Sequence, residues 1–132
     1  MSNLTIIQTK MVYVDGQRTS ENWICYKNLL NSFETACKRS SFIIIDLTNG
    51  CYLSSAGTML LITISEKAKR KKITLLLCAQ QQHLQIFDIL GILEADFFQT
   101  FKSLKQCLEF LGDKIKGKEI IEAKIELDNE QA

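Results

Sequence analysis

Four consecutive apolar residues, Phe42-Ile43-Ile44-Ile45, end at Asp46 and constrain the fold more than any other stretch of the chain. A run without polar alternation presents no face to water, so it reads as a strand buried on both sides, at the centre of a largely parallel sheet. Ile73-Thr74-Leu75-Leu76-Leu77-Cys78 is a second strand of the same kind. Between the two, Leu60, Leu61, Ile64 and Ala68 recur at helical spacing from Gly57 onward, which predicts an amphipathic helix. That helix closes in Lys67-Ala68-Lys69-Arg70-Lys71-Lys72, and a basic last turn suits the negative end of a helix macrodipole. Strand, helix and strand in this order call for helices against the sheet and a right-handed crossover.

The remainder of the chain extends the pattern. Residues 4–14 are rich in β-branched and aromatic side chains and close at Asp15-Gly16, a turn signal that predicts a hairpin or two short strands. Thr19-Ser20-Glu21 reads as a cap and first turn. Trp23, Tyr26, Leu30, Phe33 and Cys37 follow at spacings of three and four, predicting a helix over 21–38 with Trp23 partly buried at its start. Leu84, Phe87 and Leu90 mark a further helix stopped by Gly91. Residues 96–101 read as a short strand or strand-like turn, and Leu104, Cys107, Leu108 and Leu111 as a last helix ending at Gly112. The expected fold is α/β: a sandwich with a mixed, mainly parallel central sheet and four or five helices, occupying residues 1–112. Residues 113–132 form a charged C-terminal tail. There Ile121, Ala123, Ile125 and Leu127 fit a period of two, while Glu-Ala-Lys-Ile-Glu-Leu favours helix by propensity. The tail is read as a weak helix with a fraying end.

A length of 132 residues is one domain's worth, and 46% hydrophobic against 23% charged residues is enough apolar material to fold it. Sixteen basic residues face fifteen acidic ones, a net charge of +1, which gives no footprint for a dedicated nucleic-acid binder. Cys25, Cys37, Cys51, Cys78 and Cys107 are odd in number and lack Cys-x-x-Cys spacing, so they read as free thiols. With no signal-peptide pattern at the start and no apolar run of about eighteen residues, the expected location is a reducing cytoplasm, without membrane insertion.

Few residues can carry chemistry. His83, the one histidine, has no ligand or nucleophile at useful spacing and reads as a solvated first-turn residue, so neither a metal site nor catalytic residues are expected. No glycine-rich phosphate loop precedes a helix. Asp46 at a strand end matches the phosphoacceptor position of response-regulator receivers, but those also need an acidic pair after the first strand, where this chain has Gln8-Thr9-Lys10. Asp46 is instead expected to accept hydrogen bonds from backbone N–H groups of the following loop. The basic stretch 67–72 lacks interleaved aromatics and reads as a solvated helix end rather than a nucleic-acid or lipid patch. Ser54-Ser55 is a helix N-cap pair. A serine at a helix start is also a favourable place for a phosphate, because first-turn N–H groups and the macrodipole stabilise the added charge.

Ile43-Ile44-Ile45-Asp46-Leu47, leading through a loop to Tyr52-Leu53-Ser54-Ser55-Ala56-Gly57, resembles the STAS family, best known from bacterial anti-sigma factor antagonists. The likeness runs on through the basic helix end, the strand 73–78, Ile86-Phe87-Asp88-Ile89-Leu90-Gly91-Ile92, and the block 98–108, covering residues 4–111. By residue-wise matching the family's phosphoacceptor falls on Ser55, its preceding aspartate on Ser54 and its helix-starting glycine on Gly57. The chain departs from the pattern in having Ser54 for that aspartate, in lacking a glycine turn between the first two strands, and in its tail past Gly112.

The resemblance implies a partner switch. The unphosphorylated protein would bind an anti-sigma factor with serine kinase activity, releasing a sigma factor; phosphorylation of Ser55 would break the complex and a serine phosphatase would restore it. The implied contact surface comprises Asp15, Gly16, Asn49, Ser54, Ser55, Ala56, Gly57, Thr58 and Met59. The partner would supply ATP and magnesium, this chain requiring no cofactor and acting as a monomer or weak dimer. The alternative implied by the family is a regulatory STAS subunit of a lipid-transport ABC ATPase, without a phosphorylation cycle. A small enzyme is disfavoured, since no acid–base or nucleophile–base pair can be assembled.

Overall fold

The computed structural model describes residues 3–10, 13–14, 17–18, 23–49, 51–91 and 98–128. In chain order the elements are β1 (Asn3–Lys10), β2 (Tyr13–Val14), β3 (Gln17–Arg18), β4 (Trp23–Ile24), α1 (Tyr26–Cys37), β5 (Ser40–Asp46), α2 (Ser55–Arg70), β6 (Thr74–Cys78), α3 (Gln81–Ile89), β7 (Gln99–Phe101), α4 (Leu104–Leu111) and β8 (Ile120–Asp128). A 3₁₀ turn over Gly112–Ile115 joins α4 to β8. The sheet runs β4-β8-β1-β5-β6-β7. Its members from β8 to β7 pair in parallel, and β4 lies antiparallel at one edge. This is the mainly parallel α/β sandwich expected from the two apolar runs.

β5 occupies the middle because its side chains are apolar on both faces. Ile43, Ile44 and Ile45 are 0%, 0% and 1% exposed. Ile43 and Ile45 join Ile7 and Leu77 under Phe33 of α1, Leu61 and Ile64 of α2 and Phe87 of α3. Ile44 points the other way, with Leu4, Ile6, Leu76 and Cys78, against Cys107 and Leu111 of α4. Each such side chain stabilises the fold by about 1.5–3 kcal/mol relative to an exposed one. Of the leucines expected at the centre of β6, Leu76 and Leu77 are buried and Leu75 is partly so.

Three expectations need correction. The tail is not helical: β8 runs parallel to β1 from Leu4↔Ile120 to Lys10↔Glu126. Pairing there satisfies β1's second row of backbone groups, and the period of two sends Ile125 into the core at 2% exposure, so tertiary pairing overrides a helix propensity worth only tenths of a kcal/mol per residue. The first helix begins at Tyr26 rather than 21. Trp23, which matches the helical stripe, belongs to β4, paired Trp23↔Asp128 and Ile24↔Leu127, while the N–H of Ile24 donates to the carbonyl of Tyr52 at 3.1 Å. The expected burial of the Trp23 side chain lies outside the described residues. Finally, residues 4–14 do hold two strands, β1 and β2, but these do not pair with each other: β1 is eight residues long and joins the main sheet, and β2 pairs with β3 in a separate small hairpin, Tyr13↔Arg18 and Val14↔Gln17.

Candidate functional site

The loop between β5 and α2 is held from several sides. Asp46 at the end of β5 is 5% exposed; its Oδ1 accepts from the backbone N–H of Thr48 at 2.9 Å and from the Thr48 hydroxyl. The carboxylate thus stabilises the turn, as the sequence suggests. Leu47 N–H donates to the Cys78 carbonyl at 2.9 Å, and Gln80 Nε2 to the Thr48 carbonyl at 2.9 Å. Asn49 Nδ2 donates to the Thr9 carbonyl at 2.6 Å, tying the loop to the end of β1.

His83 departs from its reading as a solvated residue: it is 0% exposed. Its Nδ1 accepts from the Gln80 N–H at 3.0 Å and its Nε2 lies 2.7 Å from the Cys51 carbonyl oxygen. Because Nδ1 accepts, the ring proton is on Nε2 and is donated to Cys51, a neutral tautomer bridging the first turn of α3 to the loop. Burial lowers its pKa from the ordinary 6.5, against the opposing effect of the Cys51 carbonyl. Cys51 Sγ is 3.9 Å from the same nitrogen, yet burial pushes this thiol up to about 12, the reverse of an activated nucleophile. Sequence reasoning missed His83 and Gln80 as loop anchors. The one available signal was Gln80 three residues before His83, a spacing compatible with reciprocal capping.

The two serines divide their roles. Ser54 is the N-cap of α2, its Oγ accepting from the Gly57 N–H at 3.0 Å, while the Ser54 carbonyl accepts from the Thr58 N–H and hydroxyl at 3.0 Å each. Ser55 is the first helical residue and is exposed, as is Ala56. Gly57 and Thr58 are buried. A Cβ on Gly57 would stand 3.0 Å from Ile24 Cγ2, so the glycine admits β4 against the first turn of α2. Met59, 59% exposed, and Tyr52, 40% exposed, flank this turn in sequence with apolar surface.

Of the expected contact residues, Asn49, Ser55, Ala56 and Met59 therefore reach the surface, Ser54 does so in part, and Gly57 and Thr58 shape it from beneath. Asp15 and Gly16 lie outside the described residues. The basic stretch forms the last turn and C-cap of α2, with Lys67 Nζ 3.7 Å from Glu34 of α1. Among the described residues, no group of three or more His, Cys, Asp or Glu could hold a metal ion, and no helix is long and apolar enough to cross a membrane.

The family model of the STAS domain matches residues 8–107, a span that takes in the loop, Ser54, Ser55, Gly57 and the anchors Gln80 and His83. Neither the comparison with curated proteins nor that with solved structures gives a match. With most of the chain matched and the sheet, helices and α2 loop in place, this chain belongs to the STAS domain family.

Proposed function

We propose that this protein is an anti-sigma factor antagonist that works as a partner switch in a bacterial cytoplasm: unphosphorylated, it binds an anti-sigma factor that is also a serine kinase, and phosphate on Ser55 releases it. The observation that carries the reading is the division of labour at the start of α2. Ser54 supplies the cap, leaving the Ser55 side chain exposed beside Ala56. A phosphate on Ser55 would meet the positive end of a 16-residue helix, which favours the modified state locally. In a close interface the same group adds about 1.5–2 negative charges and three oxygens, which disfavours the complex. ATP and magnesium come from the partner, and a separate serine phosphatase resets the switch.

The test is binding and phosphorylation with the cognate anti-sigma kinase. Ser55→Ala should retain binding and abolish phosphate incorporation. Ser55→Asp should weaken binding about 5- to 150-fold, the equivalent of about 1–3 kcal/mol for an unpaired charge in the interface. Wild-type affinity in both variants, or phosphate incorporated in Ser55→Ala, would overturn the reading. Co-purification with the nucleotide-binding subunit of a lipid-transport ATPase, with Ser55 unmodified, would favour the transport-subunit role instead.

A further inference from the structure

On the face of the sheet opposite α2, two thiols meet. Cys78 ends β6 and Cys107 lies in α4, and their sulfurs are 3.1 Å apart. Both residues are 0% exposed, packed with Leu4, Ile6, Ile44, Leu76 and Leu111. That separation is about 1 Å longer than a disulfide bond, so closing it calls for a small approach of α4 to the strand. The other cysteines lie elsewhere: Cys37 and Cys51 in the core on the far side of the sheet, and Cys25 at the N-cap of α1.

We propose that Cys78 and Cys107 form an oxidisable dithiol, a modification site that hydrogen peroxide closes to an intramolecular disulfide and a thiol reductant reopens. The pair has a built-in order. The hydrogen bond between the two sulfurs lets one thiol keep its proton while the other ionises, which favours the Cys107 thiolate, while burial and the Asp46 carboxylate oppose ionisation of either. Cys107, carried by α4, the element whose opening admits peroxide, is the sulfur that attacks first. Its thiolate forms an S–O bond as the peroxide O–O bond breaks; the departing hydroxide takes a proton and leaves as water. Cys78 then attacks the Cys107 sulfenic acid: an S–S bond forms, the S–O bond breaks, and the second hydroxide leaves as water with the Cys78 proton. Two electrons pass from sulfur to peroxide oxygen. Access is through α4, an eight-residue helix whose Lys105, Gln106, Glu109 and Phe110 are exposed, so one short element stands between the thiols and solvent and its local opening sets the rate. The bond would join α4 to the end of β6, where the Cys78 carbonyl accepts from Leu47 and Gln80 holds Thr48. The proposal does not depend on the partner switch.

The experiment uses the full chain, reduced, freed of reductant and exposed to excess hydrogen peroxide. Unreacted thiols are then alkylated in denaturant without reductant. Five alkylated cysteines are expected before exposure and three after it, because two enter the bond, with a cross-linked peptide pairing Cys78 to Cys107 and dithiothreitol restoring all five. Five alkylated cysteines after an exposure that fully oxidises a model dithiol would overturn the proposal. So would a disulfide between any other pair, or sulfinic acid at Cys78 or Cys107 without a cross-link.

Discussion

His83 Nε2 donates a hydrogen bond of 2.7 Å to the carbonyl oxygen of Cys51, and through it the first turn of α3 holds the loop that delivers Ser54 and Ser55. The interaction requires a neutral ring: a proton on Nδ1 would set two N–H groups against each other at the Gln80 contact. Burial lowers the folded-state pKa below the ordinary 6.5, so the unfolded chain binds the proton more readily. The stability this residue contributes is complete above about pH 6.5 and is lost as pH falls through the lowered folded value. Cys51, pushed up to about 12, stays neutral throughout. Urea denaturation from pH 7.5 to 5 should show His83→Gln less stable than wild type at the upper end by about 1–3 kcal/mol and flatter with pH. Parallel pH profiles for the two proteins would refute this account of the ring.

The division between cap and modifiable serine is measurable without any partner. Ser54→Ala removes the oxygen that accepts from Gly57 N–H and should cost about 1 kcal/mol of unfolding free energy. Ser55→Ala places a good helix former at the first helical position and should change stability by less than about 0.5 kcal/mol. Equal losses in chemical denaturation would mean that both hydroxyls serve the cap.

At Gly57, helix propensity and packing oppose each other. Alanine in a helix interior is ordinarily more stable than glycine by about 0.8–1 kcal/mol, yet its Cβ would stand 3.0 Å from Ile24 Cγ2. Gly57→Ala should therefore bring none of that gain, and thermal unfolding should show no rise in Tm. A rise of several degrees would show that β4 gives way freely.

Ile125 tests whether the last strand belongs to the core. It is 2% exposed and packs with the cluster containing Ile7, Phe33 and Leu29. Ile125→Ala should cost about 2–5 kcal/mol, the ordinary loss for a buried Ile truncated to Ala. A loss below about 0.5 kcal/mol, as for an exposed surface residue, would contradict the pairing of β8 with β1.

Much of this architecture is legible in the sequence. The runs at 42–45 and 73–78 placed the central strands because an apolar side chain at every position leaves no alternative to double-sided burial. Gly91 and Gly112 marked helix ends, and both have positive φ, +70° and +50°, which glycine adopts without steric penalty. Asp46 at its strand end reads as a turn acceptor, and Ser54-Ser55 as the start of α2, and both hold in the structure. The two segments misread as helix share one cause. Trp23 fits a helical stripe, and residues 122–127 have helical propensity, but both segments extend because distant strands offer them hydrogen-bond partners.

Taken alone, the order of residues determined the local events: where apolar periodicity demands burial, where a serine can cap, where a glycine ends a helix. Only the tertiary structure decided which of two adjacent serines caps and which faces solvent, that β8 lies between β1 and β4, and that His83 turns inward to Cys51 while Cys78 meets Cys107 across the sheet and α4. Those relationships join residues far apart in the chain. Periodicity records whether a side chain is buried, whereas its partner is set by the register of strands and the seating of helices, and no local spacing carries that information.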